Sequence, residues 1–306
     1  MASEILKVLK DTYLKQDPVQ SSELTDDKKQ SLPAGTTLVL QSYSESENGH
    51  LQVVLREIEF KGFNTWHIFK DHVELVNGAA SSTAQATPSS TFKLGDDLAS
   101  RIIRYLEIKG YEIFQGPNQY NIIYIEGMNP DGGLNQDIPN QFNDLRLVIE
   151  ILDGKPRIVG GPWEATSEPG KKYTINPLNK KGAARIKFGQ YQAWQVGYHQ
   201  RKKNHLALVQ TGGTVTVHRD LNKNMMRDPS DKLDTGHFGI NQHHGWDSSK
   251  TNVGGTSAGC LVGRTIRNHV KFMNLIMQDK RYKADKKFVY TTTIISGDDL
   301  GKEVAL

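Results

Sequence analysis

The first part of the chain alternates short apolar runs with turn residues. β-Forming residues are concentrated at Val8–Leu14, Thr36–Ser42, Leu51–Leu55 and Trp66–Phe69, and each run predicts a strand. Pro33-Ala34-Gly35 supplies a turn between the first two. Short, closely spaced strands are typical of a small barrel, so residues 1–77 are predicted to form a small β domain.

The pattern changes in residues 78–92. This stretch consists mainly of Gly, Ala, Ser, Thr and Gln, without apolar residues at a regular spacing. Because such a segment cannot bury one face against a core, it predicts a flexible linker. A second domain is therefore expected at residues 93–306.

Apolar residues at helical spacing predict two helices in this second domain. The first lies between Leu94 and Leu106 and is closed by Gly110, and the second runs from Thr265 to Met277. Runs of β-forming residues between them predict strands at Asn121–Glu126, Leu145–Leu152, Ala184–Phe188, Leu206–Gln210 and Thr214–His218. The predicted fold class is mainly β with a few helices.

Composition excludes several classes of function. The chain has 306 residues and a net charge of +4, from 38 basic and 34 acidic side chains, which is too small an excess to indicate nucleic-acid binding. No apolar run approaches the length of a membrane span, and the N-terminal segment does not resemble a signal peptide. We therefore expect a protein made in the cytoplasm, without membrane insertion, that is delivered by other means if its substrate lies outside.

The residues with chemical potential lie close together. Seven of the 10 histidines fall between residues 199 and 269, together with Cys260, the one cysteine of the chain. A single cysteine excludes an internal disulfide framework and a multi-cysteine zinc site. A thiol with nearby imidazoles favours nucleophilic catalysis, because the imidazole removes the thiol proton.

The segment Ser257-Ala258-Gly259-Cys260 has the features of a nucleophile turn. Gly259 permits a sharp backbone turn, and the amides of Gly259 and Cys260 are expected to bind the oxyanion of a tetrahedral intermediate. Ser257 either bonds across the turn or caps the segment that follows. His243 and His244 point to opposite faces if they lie on a strand, so only one can serve as the base; we favour His243.

These residues resemble the motif of the L,D-transpeptidase catalytic domain family, in which His-Gly is followed by Ser-x-Gly-Cys. The chain has His244-Gly245 and Ser257-Ala258-Gly259-Cys260. The resemblance implies a β-sandwich and a thioester on Cys260. The acyl group would come from a peptidoglycan stem peptide and would pass to an amine or to water.

The first domain resembles a bacterial SH3-like module, in the run Val8–Lys15 and again at Ala34-Gly35-Thr36. This resemblance implies a module that tethers an enzyme to a cell-wall polymer. It predicts peptidoglycan or another wall polymer as partner, and the cell wall or periplasm as the place of action, as for a lysin.

The chain departs from the family pattern after the cysteine. The family usually has an Arg two residues after Cys, whereas here Leu261-Val262-Gly263 precedes Arg264, so Arg264 is the residue predicted to bind a substrate carboxylate. Trp163, in a loop predicted at 160–170, and Trp194 either line a substrate groove or pack in the core. Transfer and hydrolysis both remain open.

Other interpretations of the same residues remain. Asp220, Asn222 and Asn224 have the spacing of a calcium loop but also of a plain Asx-rich turn. Three imidazoles could instead hold a catalytic zinc ion, the available histidines being His218, His237, His243 and His244. A non-enzymatic component that binds cell wall or protein is the third alternative. The favoured interpretation needs no metal and no cofactor.

Overall fold

The computed structural model describes residues 4–56, 58, 60–61, 63–77, 92–201, 205–228 and 230–304. The chain divides into two compact units, Met1–Thr87 and Pro88–Leu306. Apart from Phe92, the predicted linker at 78–92 lies outside the described residues. No helix in the described ranges is long and apolar enough to cross a lipid bilayer.

The first unit is one sheet, which has seven strands in its described part. They are β1 (Glu4–Val8), β2 (Thr12–Lys15), β3 (Lys29–Leu32), β4 (Thr37–Glu45), β5 (His50–Leu55), β6 (Thr65–Phe69) and β7 (Val73–Asn77), with 3₁₀ turns at Ser21–Glu23, Asp26–Lys28 and Lys70–His72. The order is β3-β2-β6-β5-β4-β1-β7, and all pairs are antiparallel. Leu6, Trp66 and Ile68 are fully buried in its core.

The second unit is built around a closed barrel. Its described strands are β8 (Tyr120–Glu126), β9 (Asp144–Leu152), β10 (Lys155–Thr166), β11 (Ala183–Ile186), β12 (Gly189–Tyr198), β13 (Leu206–Gln210), β14 (Val215–Asp220), β15 (Lys232–Gly236), β16 (Gln242–His244), β17 (Leu261–Gly263) and β18 (Tyr290–Ser296). Eight of these described strands close in the order β10-β17-β16-β13-β12-β18-β8-β9, while β11, β14 and β15 form a separate sheet. The pairs β16–β17 and β18–β8 are parallel.

The described part of this unit also contains five helices. They are α1 (Leu98–Ile108), α2 (Lys171–Ile175), α3 (Ile266–Ile276), α4 (Lys280–Ala284) and α5 (Gly297–Glu303), with a 3₁₀ turn at His199–Arg201. Alternate residues of β8 enter two different apolar clusters: Ile122 packs in the cluster that includes α3, and Ile123 in the one that includes α1 and α5. Side chains that alternate along a strand place the two clusters on opposite faces of the sheet.

The fold class is confirmed at the level of a mainly β protein with a few helices. Both predicted helices are present, and each begins at a side-chain cap: Asp97 accepts a hydrogen bond from the Ser100 amide, and Thr265 from the Asn268 amide. The finer assignments, an SH3-like barrel and an L,D-transpeptidase-like sandwich, stay predictions.

Two local predictions are wrong. The single strand at Val8–Leu14 is two strands, β1 and β2, separated by a turn that the apolar residues on both sides concealed. The loop at 160–170 is largely the strand β10, which runs to Thr166. Its Gly160-Gly161-Pro162 sequence indicated a loop, but it forms an irregularity in the pairing of β10 with β9.

Candidate active site around Cys260

Cys260 and His243 line the same cavity, which has a volume of about 550 Å³. Cys260 directly precedes β17, and His243 lies on β16, where it is paired with Val262. Cys260 and Val262 are two residues apart, so an extended chain directs both to the side on which His243 lies. The parallel pairing of two short strands thereby brings thiol and imidazole to one surface.

The turn before the thiol is held by Ser257. Its buried hydroxyl accepts a hydrogen bond from the Gly259 amide at 3.1 Å and donates one to the Cys260 carbonyl at 2.8 Å. Gly259 has φ +125°, and a Cβ there would lie 2.4 Å from the carbonyl oxygen of Ala184. Glycine is therefore required by both backbone conformation and space, and Ser257 bonds across the turn.

The oxyanion prediction needs a correction at Gly259. Because its N–H already donates to Ser257, that amide is not available to an intermediate. The N–H of Cys260 bonds to no acceptor among the residues that the structure describes. One of the two predicted amide donors therefore remains.

The Cys260 sulfur lies between two backbone groups of the preceding loop. It accepts a hydrogen bond from the Asn241 amide at 3.4 Å and lies 3.7 Å from the Gly239 carbonyl oxygen. The side chain is partly exposed to the cavity. Burial of the sulfur nevertheless raises the pKa of the thiol to about 11, although the hydrogen bond from the Asn241 amide lowers it in part. The resting residue is therefore a thiol at neutral pH, whose proton a base must remove.

His243 is oriented by its own strand. Its Nδ1 lies 2.8 Å from the carbonyl oxygen of His244. A carbonyl can only accept, so Nδ1 carries the proton and Nε2 has a lone pair. Burial and the ring of His199, stacked at 4.0 Å, lower the pKa of His243 well below its usual value. The imidazole is thus neutral and able to take a proton.

His244 lies elsewhere, as the alternation of side chains on a strand predicts. Its ring stacks on His205 at 3.8 Å and lines a separate small cavity with His269. Its Nδ1 accepts a hydrogen bond from the Trp246 amide at 3.2 Å. Of the two adjacent histidines, only His243 shares a cavity with Cys260.

Side chains of the neighbouring barrel strands fix the loop between β15 and β16 by hydrogen bonds to its backbone. Gln210 accepts hydrogen bonds from the amides of Phe238 and Ile240, both at 3.0 Å. The Trp194 indole donates to the Ile240 carbonyl at 2.7 Å. These contacts fix the segment whose next residue, Asn241, bonds the sulfur, so Trp194 acts beneath the site and not in it.

Three residues predicted to bind substrate do not line the cavity. Trp194 is fully buried. Trp163 packs against Phe272 and Arg146 in the core around α3. Arg264 is paired with Glu164 and donates to the Ser248 carbonyl. The assignment of Trp163 and Trp194 to a groove is corrected, because Trp194 is buried and the partly buried Trp163 packs against the core away from the cavity.

Sequence reasoning missed three cavity residues. His199 stacks on His243, Asn241 bonds the sulfur, and Arg219 contributes a buried cation to the wall. The concentration of histidines between residues 199 and 269 was a signal for His199. No local pattern indicated the other two: Asn241 directly precedes β16 without a distinguishing motif, and Arg219 comes from β14 of the separate sheet.

The possible metal ligands are engaged with the chain itself. The carboxylate of Asp220 accepts hydrogen bonds from the amides of Asn224 and Met225, and Asn222 donates to Asp228. This is the bonding of an Asx-rich turn. His218 does not line the Cys260 cavity, and burial together with nearby cations lowers its pKa to about 4.

Within the described ranges, one set of three ligand atoms is close enough to hold a metal ion, and it contains no histidine. It consists of Glu126, Asp137 and Glu168. Glu126 is paired with Arg227, and Glu168 with Arg185, so arginine charges already occupy two of the three carboxylates. The histidines of the zinc alternative are not brought together in this way.

Comparison with known proteins returns no matching family model and no similar sequence among curated proteins. The resemblance to L,D-transpeptidases therefore rests on the residues of the motif alone.

Proposed function

We propose that the second unit is a cysteine-dependent acyl-transfer enzyme that acts on amide bonds of peptidoglycan stem peptides. The observation that carries the proposal is the shared cavity of Cys260 and His243, with the His243 proton held on Nδ1 by a backbone carbonyl. A nucleophile, a base and a group that orients the base are the parts that covalent acyl transfer requires.

The mechanism is general-base catalysis, not a preformed ion pair. As the Cys260 sulfur attacks the carbonyl carbon, its proton passes to Nε2 of His243, the C–S bond forms and the carbonyl oxygen becomes an oxyanion. The Cys260 amide is the donor available to that oxygen. Collapse of the intermediate breaks the C–N bond, and the leaving amine takes the proton from His243.

The resulting thioester is resolved by water or by a second amine. His243, again neutral, accepts a proton from that nucleophile and returns it to the departing Cys260 sulfur. Both outcomes use the same residues, so hydrolysis and transpeptidation differ only in what enters the cavity. The proposal also assigns to the second unit the L,D-transpeptidase-like sandwich fold, with the barrel strands as its framework.

In this proposal the first unit is an SH3-like module that holds the enzyme on peptidoglycan. Its short antiparallel strands around a single core support this assignment. The protein then acts at the cell wall or in the periplasm after delivery. The alternative, a wall- or protein-binding component without catalysis, is favoured by one observation, the raised pKa of the Cys260 thiol.

The test is turnover of purified stem peptides, followed by liquid chromatography and mass spectrometry. Wild type is expected to give a shortened or exchanged peptide, and Cys260→Ala and His243→Ala are expected to give none. His244→Ala is the matched control, because the adjacent ring lies in another cavity. Turnover that survives in Cys260→Ala, or its absence from wild type, contradicts the proposal.

A further inference from the structure

Arg219 lies in the wall of two cavities. One is the cavity of Cys260. The other, also about 550 Å³, lies beside the sheet of β11, β14 and β15, and its charged lining residues are Lys181, Lys232, Asp231 and Asp234 in addition to Arg219. The side chain of Arg219 is only 4% exposed, so its guanidinium belongs to the interior of the wall and not to a solvated surface.

The guanidinium is held in place on two sides. Its Nε donates to the Asp234 carboxylate at 3.0 Å, its Nη2 lies 2.9 Å from the same carboxylate oxygen, and its Cζ lies 4.4 Å from the centroid of the Phe238 ring. Asp234 also receives a hydrogen bond from Lys181 at 3.1 Å. One carboxylate is therefore shared by two cations, and the group retains a net positive charge.

Nothing else in the Cys260 cavity carries a permanent charge. No Asp, Glu or Lys is among the described residues that line this cavity. His243, which also lines it, is neutral because its pKa is lowered. Arg219 Nη1 forms no hydrogen bond with any described residue. Because Asp234 is shared with Lys181 and no carboxylate lines this cavity, the remaining nitrogen Nη1 favours an anionic ligand such as a carboxylate.

We propose that Arg219 binds a carboxylate of the substrate and so selects anionic acyl donors or leaving groups for Cys260. This inference rests on the proposed function, since it names the substrate class of the same site. It assigns to Arg219 the role that the sequence gave to Arg264, because Arg219 lines the Cys260 cavity and Arg264 does not.

The experiment compares two alkylating agents of similar size on Cys260. Iodoacetate is an anion and iodoacetamide is neutral, and the ratio of their rates at one pH is independent of the thiol pKa. The ratio is normalised to that of the urea-unfolded chain. Wild type is expected to prefer iodoacetate. In Arg219→Gln the normalised ratio of the iodoacetate rate to the iodoacetamide rate is expected to fall about tenfold, as removal of one charge-assisted hydrogen bond predicts.

Arg264→Gln is the matched control, because it removes the same charge outside the cavity; its ratio is expected to stay at the wild-type value. Arg219→Lys is expected to lie between the two. An unchanged ratio in Arg219→Gln overturns the inference, as does an equal fall in Arg264→Gln, which would indicate an effect of net charge alone.

A second measurement needs only wild type and covers the case in which Arg219→Gln does not fold. An acetylated dipeptide with a free carboxylate is expected to protect Cys260 from iodoacetamide better than its carboxamide does. Equal protection overturns the inference. Failure of the proposed function has a different signature: the anion preference persists while no stem peptide is turned over.

Discussion

The Cys260 thiol is expected to be slow to alkylate at neutral pH in the folded protein. Its pKa is raised to about 11, so at pH 8 about one thiol in a thousand is ionised, against about a quarter for an ordinary cysteine. The ionised fraction alone predicts a rate about two hundred times lower. A more basic thiolate is about ten times more nucleophilic, which leaves a net factor of about twenty.

The assay is the rate of iodoacetamide modification between pH 7 and pH 11.5, followed by intact mass. The urea-unfolded chain supplies the reference rate. His243→Ala is the informative variant, because a neutral imidazole does not stabilise a thiolate. Its profile is expected to match wild type. An apparent pKa near or below 8.5 in wild type that rises in His243→Ala would refute the reasoning and establish an ion pair.

Two further predictions concern the base and the turn. Burial and His199 lower the pKa of His243, so the base stays unprotonated as the pH falls through 6.5. The value of kcat/KM for a stem peptide is therefore expected to be the same at pH 6 as at neutral pH. A fall of kcat/KM centred at pH 6.5 contradicts this. Ser257→Ala leaves the buried Gly259 amide and the Cys260 carbonyl without their partner, so about 1–3 kcal/mol of stability is expected to be lost. Thermal unfolding checks this against Ser249→Ala, and equal melting temperatures for the two variants contradict it.

The elements that sequence predicted well are those with strong local signals. The helix α1 has both an apolar stripe and a capping Asp97, and its prediction is confirmed within a few residues. The strand β18 was missed even though its Thr and Ile residues are β-formers. Its parallel pairing with β8, more than a hundred residues earlier, leaves no mark in the local sequence.

Of the candidate site, the structure brings Cys260 and His243 to one cavity, but the residues around them were not predicted. The alternation of side chains on a strand correctly separated His243 from His244. The supporting groups could not be foreseen, because Trp194 and Gln210 reach the segment before Asn241, and Arg219 the cavity wall, only when β12, β13 and β14 fold into place. The raised pKa of Cys260 could not be foreseen for the same reason, since burial depends on packing and not on neighbours in sequence.

The central claim is that Cys260 carries the acyl group during turnover and that His243 serves it as base. The most direct measurement is acid quenching of wild type during turnover of a stem peptide, with mass spectrometry of the intact chain and of its proteolytic peptides. We predict an acyl adduct on the peptide that contains Cys260, present in His244→Ala and absent in His243→Ala. Product formation without that adduct, or an adduct on another residue, would contradict the account.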